Sequence, residues 1–72
     1  MKRVAVKIEN KTTYKYYYSL YELNREIEIL KENLQEDEAI EIKVGREHYY
    51  IDYEYKDFDN HYEYYVKQYL NN

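Results

Sequence analysis

The 72-residue chain has no cysteine and no tryptophan, and only one glycine, one phenylalanine and two histidines. Without cysteine there is no disulfide framework, no thiolate metal site and no cysteine nucleophile, a composition that suits a reducing cytoplasm. A single glycine rules out a glycine-rich phosphate loop, and there is no Gly-x-Ser-x-Gly elbow. No apolar run is long enough to span a membrane or to form the core of a signal peptide, so neither is expected. His61 lies near Asp57 and Asp59, but this spacing reads as an exposed first turn of a helix, and His48 as a hairpin residue. No catalytic residue, metal site or cofactor is therefore expected, and the chain reads as a binding protein rather than an enzyme.

What is abundant is tyrosine, with thirteen residues, five of them in the stretch TTYKYYYSLYEL from Thr12 to Leu23. Charged residues are 36% and the mean hydropathy is −1.11. Hydropathy scales count tyrosine as polar, although its ring buries much apolar area. With 44% hydrophobic residues in clear periodic patterns, the chain reads as one folded domain over residues 1–72. Lys, Asn, Ile and Tyr all have AT-rich codons, so genomic composition accounts for part of the tyrosine excess.

The periodicity predicts an α+β fold of order ββαββα. Val4, Val6 and Ile8 alternate with polar residues as in a half-buried strand, and Thr13 to Ser19 reads as its hairpin partner. Matching apolar faces pairs Tyr14, Tyr16 and Tyr18 with Ile8, Val6 and Val4 across a three-residue loop. The alternative, a two-residue loop, sets Lys15 against Val6 on the core face and is disfavoured on that ground. Ser19 followed by Glu22 has the form of a capping box, with Tyr18 and Leu23 placed as a hydrophobic staple. Leu20, Leu23, Ile27, Leu30 and Leu34 then recur at helical spacing, ending near Leu34–Gln35. Ile40, Ile42 and Val44 form a third strand; Tyr49, Ile51, Tyr53 and Tyr55 mark a fourth, and a type II′ turn at Gly45-Arg46 joins the two. A second helix starts at an Asn60/Glu63 cap, with Phe58, Tyr62, Tyr65, Val66, Tyr69 and Leu70 on one side. The four strands should form one antiparallel sheet with the first helix on one face. The second helix lies either beside the first or across part of the other face.

Charge is unevenly spread. Residues 1–21 carry five bases and one acid, residues 22–45 eight acids and three bases, and residues 46–72 six acids and three bases. Opposite the leucine stripe of the first helix lie Glu22, Arg25, Glu26, Glu28, Ile29, Glu32 and Glu36. Glu28, Glu32 and Glu36 form a ladder of like charges, each pair costing roughly 0.2–0.5 kcal/mol, and Asp37 extends it. Such a face suits a basic partner surface, with Ile29 as an apolar anchor, although a solvated helix face has the same composition. Tyr17 and Tyr50 point away from the predicted core, to a sheet face shared with Lys7, Lys15, Glu41, Lys43, Asp52 and Glu54. Tyrosine favours recognition because it offers large contact area at low entropic cost.

In size, charge and AT-rich composition over the whole chain, with the acidic run ELNREIEILKENLQEDEAIE and the tyrosine-rich strands, the protein resembles the small acidic inhibitors encoded by bacteriophages, such as anti-CRISPR and other anti-defence proteins. The resemblance implies a cytoplasmic protein in a bacterial host cell. It also implies a host protein partner whose nucleic-acid channel is filled by carboxylates standing in for phosphates. A second expectation is direct binding of nucleic acid or a small nucleotide by Arg3, Lys7, Lys15 and Lys43 with Tyr17 and Tyr50. The net charge of −4 opposes it for a polyanion. The exposed tyrosines or Ile29 would equally serve a homo-oligomer.

Overall fold

A computed structural model describes residues 1–71. Its elements run β1 (Val4–Ile8), β2 (Lys15–Tyr17), α1 (Leu20–Asn33), β3 (Ala39–Val44), β4 (Glu47–Asp52), one 3-10 turn (Tyr53–Tyr55) and α2 (Tyr62–Asn71). The four strands form one antiparallel sheet in the order β2-β1-β3-β4. This is the predicted α+β architecture. The central pair β1–β3, which closes the sheet, joins segments more than thirty residues apart, with Val4 opposite Val44 and Ile8 opposite Ile40.

Both helices lie on one face. Leu23 and Ile27 of α1 share a single core with Tyr62 and Val66 of α2, over Val4, Val6, Ile40, Ile42 and Ile51. The Tyr62 hydroxyl donates to Asn24 Oδ1 at 2.6 Å and ties the two helices together. The opposite face of the sheet carries no helix.

Local signals behave as their chemistry requires. The Ser19 hydroxyl accepts from the Glu22 backbone N–H at 3.3 Å and caps α1. The β3–β4 register pairs Ile40 with Ile51 and Ile42 with Tyr49, as predicted. Gly45 has φ +64°, and no other described residue has a positive φ, which fits a type II′ turn.

Four expectations are corrected. First, β2 pairs one residue out of the predicted register: Val4 faces Tyr17, and Val6 faces Lys15. Lys15 is tolerated there because β2 is an edge strand. Its amine stays in water and reaches Glu26 of α1 at 3.5 Å. Each tyrosine of β2 therefore changes face, since strand side chains alternate. Tyr17 packs against the core, while Tyr14 and Tyr16 lie on the helix-free side. Second, Tyr18 is half-exposed, too open to be the predicted staple. Third, β4 stops at Asp52, so Tyr55 is exposed rather than inward. Fourth, α2 is entered through Asp59, whose Oδ1 accepts the His61 N–H at 3.2 Å, while Phe58 and Tyr65 are exposed. Asp59 also accepts the Tyr49 hydroxyl at 2.6 Å, so one carboxylate joins β4 to the start of α2.

Candidate functional site

The nine residues singled out from the sequence fall into four places. Glu22, Glu28, Ile29 and Glu32 are exposed on α1, and Glu28 lies 3.8 Å from Lys31. Glu26 is turned toward the sheet edge. It accepts the Tyr17 hydroxyl at 2.7 Å and approaches the Lys15 amine, so Glu26 and Tyr17 hold α1 against β2 and do not form an open surface. Burial and then the Glu26 hydrogen bond push the Tyr17 phenol up to about 12. Tyr50 is exposed on the helix-free sheet face, stacked beside His48 with centroids 6.4 Å apart.

Glu36 and Asp37 follow α1 in the connection to β3. There they meet acids the helix pattern did not connect with them. Glu9 at the end of β1, Glu36, Asp37, Glu38, Asp52 and Glu54 line one concave surface of about 540 Å³ with Ala39 and Tyr53. No lysine or arginine lines it. Asp52 was legible here from the β3–β4 register, which sets it opposite Ala39. Glu9 was not, because its place depends on the long-range β1–β3 pairing, where its N–H donates to the Ala39 carbonyl at 2.8 Å.

The helix-free face is organised around Glu41, which is 5% exposed. Its carboxylate accepts the Tyr14 hydroxyl at 2.5 Å and contacts His48 Nδ1 at 2.8 Å, with the Lys7 amine 3.8 Å away. Burial drives the Glu41 carboxyl upward. The hydrogen bonds from Tyr14 and His48 and the charge of Lys7 outweigh it and hold the group below its ordinary value. The Glu41 bond, then burial, pushes the Tyr14 phenol up to about 12.

Comparison with protein-family models, curated proteins and solved structures gives no match.

Beside this cluster, Arg3, Ala5, Tyr14, Tyr16, Lys43, Gly45 and Tyr69 line a cleft of about 270 Å³. Of these, Arg3 and Lys43 were expected on a basic aromatic face. Tyr16 and Tyr14 take the places expected of Tyr17 and Lys15 respectively, as the one-residue shift of β2 dictates. Among the described residues, no group of three or more His, Cys, Asp or Glu side chains is arranged to hold a metal ion, and no helix is long and apolar enough to cross a membrane.

Proposed function

We propose that this chain is a small non-enzymatic inhibitor, phage-encoded in character, that acts by occupying the basic nucleic-acid-binding surface of a partner protein, such as a component of bacterial defence. The observation that carries the reading is the acidic concavity. Six carboxylates from three separate stretches of the chain converge on one surface with no cation among its lining residues. Their mutual repulsion opposes folding, so a surface selected for stability alone would intersperse lysines. Glu28, Glu32 and Ile29 are also exposed, on α1, and offer further acids and one apolar contact to the same partner. Carboxylates so placed meet the lysines and arginines that otherwise bind phosphates, and the complex gains on-rate and specificity from the charge match.

The reading is tested by affinity capture from a bacterial lysate. The native chain should retain a basic nucleic-acid-binding protein and displace that protein's DNA or RNA. The combined variant Glu36→Gln, Asp37→Asn and Glu54→Gln should lose both effects while keeping its fold. Capture that is unchanged by the variant, or a recovered partner without a basic surface, overturns it.

A further inference from the structure

The cleft on the helix-free face has the opposite character to the acidic concavity. Arg3 and Lys43 line it, and neither pairs with a carboxylate among the described residues. The nearby acid on β3, Glu41, is already engaged by Tyr14, His48 and Lys7. The Arg3 guanidinium lies over the Tyr16 ring, 3.9 Å from its centroid, a contact that orients the group and leaves its charge unneutralised. At the far wall the Lys2 amine lies 5.0 Å from the Tyr69 centroid. Two cations and three phenol rings thus line one recess that no carboxylate lines, with Lys2 beside one of the rings.

We infer that this cleft binds a small phosphate ester bearing a planar ring, of the size of a nucleoside monophosphate. The phosphate sits between Arg3 and Lys43, where a guanidinium fork and an ammonium match its charge and geometry. The ring lies against a tyrosine wall, a contact that tolerates any base because every base has a π-face. A volume of about 270 Å³, at the small end for ligand sites, limits the occupant to one such unit and is too small for a run of nucleotides. A single small anion also avoids the penalty that a net charge of −4 imposes on binding a polyanion. The site is on a different surface from the acidic concavity, and the inference stands independently of the proposed inhibition.

Isothermal titration calorimetry and amide-resolved NMR on the full chain, at low salt, test it with four probes: adenosine monophosphate, guanosine monophosphate, inorganic phosphate and adenosine. Both monophosphates should bind saturably at one site and shift the amides of Ala5, Lys43 and Gly45. They should bind about tenfold or more tighter than inorganic phosphate, the scale of one stacking contact. Arg3→Ala and Lys43→Ala should each weaken them about tenfold, the scale of one charge-assisted contact. Arg3→Lys, which keeps the charge, controls for lost folding and should recover part of the affinity. Glu36→Gln with Asp37→Asn should leave nucleotide affinity unchanged, which separates this site from the partner surface. The inference is overturned if neither monophosphate binds, if phosphate binds as tightly as the monophosphates, if adenosine alone binds equally, or if Arg3→Ala with Lys43→Ala leaves affinity intact.

Discussion

Glu41 shows how a single buried charge organises a surface that has no helix over it. Its carboxylate is almost fully enclosed, yet every nearby polar group is a donor or a cation: Tyr14, His48 and Lys7. Glu41→Gln keeps the shape and removes the charge, and should cost about 1–3 kcal/mol at neutral pH in urea unfolding. The sign of the pH dependence follows from the lowered carboxyl value. The stability linked to the ionised group is present above the unfolded carboxyl value of ~4.3 and is lost as pH falls through the lower folded value. The acid limb of the stability curve should therefore flatten in Glu41→Gln. Tyr14 and Tyr17 behave in the opposite sense, since both phenols are pushed up to about 12. Their contribution is complete below the ordinary phenol value of ~10 and disappears as pH rises through the folded value. Tyr17→Phe should cost about 0.5–1.5 kcal/mol and remove one late-ionising phenol from an ultraviolet pH titration.

At the scale of elements, the ends and turns show which signals act locally. Ser19 is the one described side-chain cap of α1, and Ser19→Ala should lower stability by ~1 kcal/mol in thermal or urea melts. Gly45 is constrained twice. Its φ of +64° suits glycine, and a Cβ there would lie 3.1 Å from the Tyr69 ring. Gly45→Ala should cost about 1–2 kcal/mol from backbone strain alone. It should also displace Tyr69, a change visible in the aromatic NMR signals. The hairpin around Gly45 was readable because turn residue, loop length and apolar pairing all agree on one register. The β1–β2 hairpin was not, because its apolar matching favours a register that the structure does not adopt. Tyrosine pairs acceptably with either face, so the acids on other elements decide: Glu26 receives Tyr17 and Lys15, and Glu41 receives Tyr14.

On the scale of the whole molecule, the two helices share one face, and the helix-free face is left to the Glu41 cluster and the basic cleft. Acids collect at the opposite end of the sheet, where the α1–β3 connection meets the ends of β1 and β4. A partner held by that concavity should be released as ionic strength rises past the range where the Debye length is ~8–10 Å. Parallel capture at stepped salt concentrations would show this. Removing the ladder with Glu28→Gln and Glu32→Gln should leave the chain folded and change its stability by only a few tenths of a kcal/mol, because exposed like charges repel weakly through water.

The sequence by itself determined the element order, the α1 stripe and cap, and the β3–β4 register, because each rests on contacts between residues close in the chain. It also located acids on α1, but could not tell Glu26, which turns inward to Tyr17, from Glu32, which stays in water. Only the tertiary structure decided which tyrosines face the core, that α2 lies beside α1, and that Glu9, Asp37 and Glu54 share one surface. Those outcomes depend on the β1–β3 pairing and on hydrogen bonds between distant elements, such as Tyr62 to Asn24. Partners so far apart along the chain leave no local periodic pattern for a sequence reading to find.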